Sequence, residues 1–385
     1  TSTGKWWSRS HASACGATSA AANSRTTPRS ASCSSVSSTV LQPYASAVRS
    51  DVLPAVASVG GRLATGLVDV TDDLSALDSS GFWVVVLPYD ATPVCARFER
   101  TRPTIGRPRR QWIGPARESW RSSLSRDQFV RGVDAIRDAI ADGDVYQVNL
   151  TRRLSAPLPR NADVLALANA LAGGNPAPHA AVVRLPSHGV HVASASPERF
   201  LSRHGRVVQS QPIKGTAVTA EAMLAKDRAE NVMIVDLVRN DIGRVCEWGS
   251  VHVPSLCAVE HHPGLVHLVS TVEGTLRADV GWPELLAATF PPGSVTGAPK
   301  LAAMEIIGHL EPVERGPYCG AIGWVDADRR EGDLNVAIRT FWFDEGELHL
   351  GTGGGITWDS TPEGEWEETE LKARRLLRVA SGVLV

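Results

Sequence analysis

The sequence predicts an α+β fold built on large antiparallel sheets. Apolar segments of strand length occur in neighbouring groups joined by short links, and they do not alternate strictly with helices. Helical periodicity is confined to a few separated stretches, and no internal repeat is visible. A chain of 385 residues with 43% hydrophobic and 21% charged side chains suits a large globular domain.

The elements follow in chain order. Residues 1–45 are rich in Ser, Ala and Thr, and no acidic residue precedes Asp51. So little large apolar surface cannot offset the entropy of ordering, so this segment reads as a disordered tail. Its Arg- and Ser-rich, acid-poor composition also resembles an organelle transit peptide. Residues 46–385 read as one folded domain. FWVVVLP (82–88) is a buried strand, and the Pro- and Gly-rich stretch 102–115 reads as a loop. Ser125 starts an amphipathic helix with Phe129, Val133, Ile136 and Ile140 on one stripe, and Gly143 ends it. In the strand VYQVNLT (145–151), Tyr146, Val148 and Leu150 share one face. Gln147, Asn149 and Thr151 share the other, which is either solvent-exposed or lines a polar cavity. Further strands are expected near 180–184, 190–195, 206–213, 265–275, 320–326, 334–343 and 347–351, with helices near 162–172, 219–241, 299–309 and 363–380.

Composition narrows the function. A formal net charge of −2 offers no general attraction to nucleic acid or anionic membrane. No apolar run approaches the length of a membrane span. Six scattered cysteines form no Cys-x-x-Cys pair, which argues against a zinc site or disulfide framework and fits a cytoplasmic protein. Any metal must therefore be held by oxygen.

Five constellations carry candidate chemistry. KDRAENVMIVDLVRNDIGR (226–244) places Glu230 and Asn231 one turn before a buried stripe of Met233, Ile234, Leu237 and Val238. The last helix opens with Thr361 as N-cap and Pro362 at N1, and sets Glu365, Glu368 and Lys372 on one face. Carboxylates from two helices could share one Mg²⁺, which keeps other positions for water and an anionic substrate. Each glutamate alone reads first as a solvated charge or a salt-bridge partner. FPPGSVTGAPK (290–300) and GTGGGITWDS (351–360) are glycine-rich turns whose amides could approach an anion, although neither is a P-loop. Arg339 shares a strand face with Asn335 and Ala337, suited to gripping a carboxylate or to a salt bridge. His267, in an apolar strand, reads as a core histidine or a catalyst. Lys214, at a strand end in QPIKGT, would be a nucleophile if buried and neutral.

Together these segments resemble the chorismate-utilising enzymes, a family that includes anthranilate, aminodeoxychorismate, isochorismate and salicylate synthases. The resemblance is strongest over 125–380 and rests on SPERF (196–200), PIKGT (212–216), DRAEN (227–231), DLVRNDIGRV (236–245), HLVSTVEG (267–274), FPPGSVTGAPK, YCGAIGW (318–324), IRT (338–340) and GGGITWDSTPEGEWEET (353–369). It implies one large chorismate-binding domain of two packed antiparallel sheets flanked by helices. It also implies that Glu230 and Glu368 bind Mg²⁺, which grips the ring carboxylate of chorismate. Arg339, Tyr318 and the amides of Gly353, Gly354 and Gly355 would hold the pyruvyl carboxylate, with His267 near the ring and Lys372 near the metal.

The resemblance also sorts subfamilies. Members that add water to chorismate have Lys where this chain has Gln147, and Gln cannot deprotonate water. Anthranilate synthases generally have Ala at the position of Lys214, whereas Lys there is the feature of aminodeoxychorismate synthases, with Glu198 as acid and base. The implied product is 4-amino-4-deoxychorismate, towards 4-aminobenzoate and folate. No Gly-x-Cys-x-Gly elbow is present, so ammonia is expected from a separate glutamine amidotransferase subunit. The alternatives are anthranilate synthase component I and, more remotely, a non-catalytic chorismate-binding subunit. The stretch between Lys214 and Glu230 is shorter than in many relatives, and the region before 125 is only weakly similar.

Overall fold

The computed structural model describes residues 53–104, 111–217, 219–222, 225–262 and 265–382. The expected tail at 1–45 lies outside these residues. Four strands open the described chain: β1 (Val56–Val59), β2 (Arg62–Thr71), β3 (Phe82–Leu87) and β4 (Val94–Pro103). β5 (Arg121–Ser122) precedes helix α1 (Arg126–Ala141), and β6 (Gln147–Pro157) precedes α2 (Val164–Gly174). Then come β7 (His179–Leu185), β8 (Val190–Ser196), β9 (Arg199–His204), β10 (Val207–Gln211) and β11 (Ile213–Ala217). Helix α3 (Ala225–Gly243) leads into the hairpin β12 (His252–His262) and β13 (Leu265–Thr275). α4 (Trp282–Thr289), the two-residue β14 (Gly297–Ala298) and α5 (Lys300–Leu310) follow. β15 (Ala321–Asp326), β16 (Glu331–Val336), β17 (Thr340–Asp344), β18 (Glu347–Ile356) and α6 (Pro362–Ala380) complete the fold.

The architecture is α+β, and every strand pairing is antiparallel. Neighbour follows neighbour in the order β6–β18–β17–β8–β7–β1–β2–β4–β3–β15–β16–β9–β10–β13–β12. The expectation of two separate sheets is therefore corrected to one continuous ladder, because β1 pairs with both β2 and β7 and joins the halves. The ladder folds back on itself. Asn335 of β16 donates to the His179 carbonyl of β7 at 2.8 Å, across strands that are far apart in ladder order. Val183 of β7 and Val336 of β16 accordingly share the main core with Leu201, Ile234 and Trp282.

Local sequence explains the helices that carry the site. Ser125 and Gln128 form a reciprocal capping box at the start of α1, worth about 1 kcal/mol. Phe129, Val133 and Ile136 bury its stripe against Val148 and Leu150 of β6, each contributing about 1.5–3 kcal/mol. Helix α3 buries Ile234, Val235, Val238 and Ile242, while Met233 and Leu237 are only partly covered. Asn231 fixes the start of α3 to β13, donating to the Leu268 carbonyl and accepting from Ser270 Oγ.

Candidate functional site

The site is built where β6 and β18 pair along their full length. Val148 and Leu150 face the layer of α1 and α5. Gln147, Asn149 and Thr151 therefore face the other way, and all three are buried. The polar face expected from the sequence thus lines the interior. Tyr146, by contrast, lies before the strand and is exposed.

The glycine run does not follow a strand, as expected, but lies inside β18. It consists of glycine because other side chains occupy the space a Cβ would need. A Cβ at Gly355 would overlap Gln147 Nε2 and come within 3.0 Å of Glu230 Oε1. One at Gly354 would lie 2.9 Å from Glu365 Oε2 and 3.8 Å from both Glu368 Oε1 and Lys372 Nζ. β17 pairs with β18 only as far as Leu350. Beyond that point one edge of the glycine run has no strand partner among the described residues, which leaves backbone groups open to a ligand.

Two strands converge on Glu230 of α3. Lys214 Nζ of β11 lies 2.7 Å from Glu230 Oε1, and Gln147 Nε2 of β6 donates to the same oxygen at 2.8 Å. The Lys214 side chain is 12% exposed and that of Glu230 is 23%. Gln147 Oε1 is buried and has no hydrogen-bond partner among the described residues, so this acceptor faces a space that would suit a donor. On α6, Lys372 Nζ lies 2.7 Å from Glu368 Oε1 and donates to the Gly353 carbonyl at 3.0 Å. Glu365 accepts from Ser360 Oγ at 2.6 Å.

Glu198 sits behind Lys214 and is 4% exposed. Burial pushes its carboxyl up to about 7 from an ordinary 4.5, against the opposing pull of the Ser294 hydroxyl, Lys214 and the Ile213 amide. A carboxyl held near neutrality can both give and take a proton.

Arg339 corrects an expectation. The strand expected over 334–343 breaks after Val336, and Arg339 lies in the gap before Thr340 with a left-handed φ of 51°. There the chain crosses from β16 to β17: the Ala337 amide bonds to Gly320, and the Arg339 carbonyl accepts from Ala195. The guanidinium meets no carboxylate or carbonyl among the described residues. Its pKa is lowered by burial first and then by Arg375, one turn after Lys372 on α6. A desolvated cation with no counter-charge is a site for an anion.

Two further candidates are placed less directly. The ring of Tyr318 packs on Gly351, and its surroundings are Cys319, Arg315 and Glu311. His267 is buried in β13, one residue from Leu268, which pairs with Lys214. Sequence reasoning passed over Ser294 and gave Glu365 no role. The Ser-Val-Thr between two glycines and the acidic residue one turn before Glu368 were the available signals.

The donor set suits a hard cation. Among the described residues, no three His, Cys, Asp or Glu side chains are grouped to hold a metal by themselves. Mg²⁺ needs only one or two carboxylates, its other positions going to water and substrate oxygen. Glu230 of α3 lies beside Gly355, and Glu365 and Glu368 of α6 lie beside Gly354, so carboxylates from two helices approach adjacent residues of one strand from its two faces.

An α+β domain whose interior gathers carboxylates, two lysines and an arginine with no counter-charge among the described residues would suit small anionic substrates. Residues 96–378 match the family described as chorismate binding enzyme, and the chain belongs to that family. Aminodeoxychorismate synthase component 1 of Klebsiella aerogenes is 43% identical over 271 residues, 67% of this chain and 59% of that protein. Anthranilate synthase component 1 1 of Haloarcula marismortui is 39% identical over 278 residues, 69% of this chain and 56% of that protein. The chain thus spans rather more than half the length of these relatives. The crystal structure of anthranilate synthase component I from Streptococcus pneumoniae superposes with a TM-score of 0.71 at 26% identity, covering 85% of this chain and 93% of that one. The menaquinone-specific isochorismate synthase of Escherichia coli shares the fold alone, with a TM-score of 0.73 at 16% identity, covering 85% of this chain and 89% of that one.

Proposed function

We propose that this protein aminates chorismate at C4 to give 4-amino-4-deoxychorismate, as the chorismate-binding component of an aminodeoxychorismate synthase. The observation that carries the reading is Lys214, mostly buried and aimed at Glu230, with the near-neutral Glu198 beside it. In this reading the Lys214 ammonium first releases a proton to solvent, and the neutral amine forms a bond to C2 of the ring. The double bond shifts and the C4 hydroxyl departs as water, taking its proton from Glu198. Ammonia then bonds to C4, the double bond returns, and the lysine amine leaves C2. Glu198 takes back the proton that the new amine sheds. The net change is chorismate plus ammonia to product plus water.

Arg339 and the open edge of Gly353–Gly355 would hold the pyruvyl carboxylate, with Tyr318 beneath Gly351 and His267 near the ring. Glu230 and Glu368, with Glu365 adjacent, would hold Mg²⁺, which would bind the ring carboxylate and draw off charge as the hydroxyl leaves. Lys214 and Lys372 now neutralise those carboxylates and would be released towards substrate. Gln147 offers an acceptor but no base, which favours ammonia over water as the nucleophile. Ammonia would come from a glutamine amidotransferase partner. The described residues contain no helix long and apolar enough to cross a membrane, and a cytoplasmic setting remains part of the proposal.

The second reading is anthranilate synthase component I, favoured by the Haloarcula relative at nearly the same identity. Incubation with chorismate, Mg²⁺ and ammonium, followed by mass-resolved chromatography, separates the two. The 4-amino product that retains the pyruvyl group supports the proposal; anthranilate replaces it with the second reading.

A further inference from the structure

Behind the site lies a buried ion pair that borders Tyr318 but touches none of the carboxylates and lysines assigned to chemistry, yet joins two of the segments that carry them. Arg315 is 3% exposed. Its Nη1 donates to the Val295 carbonyl at 2.8 Å and its Nη2 to the Asn149 carbonyl at 2.8 Å. Nε and Nη2 also grip the two Glu311 oxygens at 2.8 and 2.7 Å. Glu311 Oε1 in turn accepts the Thr151 amide at 2.8 Å. The Tyr89 ring lies 4.5 Å from the guanidinium, and Asp90 accepts the Arg315 backbone amide.

Those bonds end on two functional segments. Val295 follows Ser294, which lines the same cavity as Glu198 and whose hydroxyl pulls the Glu198 carboxyl down. Asn149 and Thr151 continue the strand of Gln147, which donates to Glu230. We propose that the Arg315–Glu311 pair is the positioning device that sets the acid–base side of the site, Ser294 and Glu198, against its metal side, Gln147 and Glu230. The proposal rests on the reading of Glu198 and Glu230 as the working carboxylates. A buried ion pair is a poor device for stability alone, since apolar replacements of similar volume are often neutral. A planar fork that reaches two carbonyls and a carboxylate at once is, however, a good device for fixing distances. Lysine would keep the charge but could not span both carbonyls.

Glu198 titration in the ligand-free protein tests this without any assumption about substrate. The groups facing Glu198 are Lys214 from β11 and Ser294 from the turn at 293–295, and Asp241, paired with Lys300, borders the same cavity. The carboxyl is followed by carbon NMR of glutamate-labelled protein and assigned by its loss in Glu198→Gln. In Ser294→Ala the titration moves up, because a donor to the carboxylate is lost. Arg315→Lys should move it in the same direction, and the double variant no further than the larger single shift. With chorismate and ammonium, kcat of Arg315→Lys should fall about 10- to 100-fold with a much smaller change in KM. Glu311→Gln, which keeps the two carbonyl bonds, should give an intermediate shift and stands in if Arg315→Lys does not fold. A wild-type Glu198 titration in Arg315→Lys and Glu311→Gln, or independent shifts that sum in the double variant, overturns the proposal. Coupled titrations without aminated product would instead contradict the functional reading alone.

Discussion

Replacing Glu198 by Gln removes a buried acid while keeping its shape, and the structure fixes how stability should respond to pH. The folded carboxyl titrates at about 7 and the unfolded one at 4.5, because burial disfavours the charged form. Between these values the folded protein holds a proton that the unfolded chain has lost. Stability from this group is therefore fully present below the unfolded value and is lost as pH rises through about 7. A separation of about 2.5 units at 1.36 kcal/mol each is a loss of about 3 kcal/mol between pH 4 and 8. Urea unfolding of the wild type and Glu198→Gln at several pH values isolates the contribution, because all other groups are common to both. The difference curve should decline across this window and flatten above it. Parallel curves for the two proteins would refute the reasoning, since they would mean that Glu198 titrates in the folded protein as it does in the unfolded chain. Catalysis should respond separately: Gln neither gives nor takes a proton, so kcat should drop by about 10²–10⁴.

Two other perturbations probe the site walls and the anion anchor. Gly355→Ala would force Gln147 away from its 2.8 Å bond to Glu230, costing about 1.5–3 kcal/mol in unfolding free energy. Gly173→Ala on α2 meets nothing within 4 Å and should stabilise by about 0.5–1 kcal/mol, which makes it a control for glycine replacement in general. Arg339→Met should raise KM for chorismate about 10- to 100-fold, yet leave the ligand-free melting temperature unchanged or higher, because its desolvated charge has no counter-charge among the described residues to lose. A fall in stability with KM unaffected would make Arg339 a structural residue.

Periodic segments were legible wherever their periodicity answered to one buried face. Ser125, Phe129, Val133 and Ile136 announced α1 and its cap, and α6 began at Pro362 as expected. The strands β1, β2, β4, β9 and β12, the two-residue β5 and β14, and β11 beyond Ile213 went unseen. β2, with Gly66 in mid-strand, and β12, with Pro254, run against strand propensity and form because β1 and β4 pair with the first and β13 with the second. The same override hid the second half of β18, where Gly353–Gly355 look like a turn until Gln147, Glu230 and Glu365 are seen to occupy the space beside them. The break at Arg339 left no mark either, since its left-handed φ is not carried by a glycine. Pattern alone found the polar face of β6 and the acidic face of α6. That Glu230, Gln147 and Lys214 would meet came only from the resemblance, because nothing in their spacing requires it.

The most direct measurement of the central claim is product analysis of the wild type and Lys214→Ala side by side, each supplied with chorismate, Mg²⁺ and ammonium. The account predicts 4-amino-4-deoxychorismate from the wild type and a large loss of it in the variant, with the fold intact. Anthranilate from the wild type, or undiminished 4-amino product from Lys214→Ala, would contradict it.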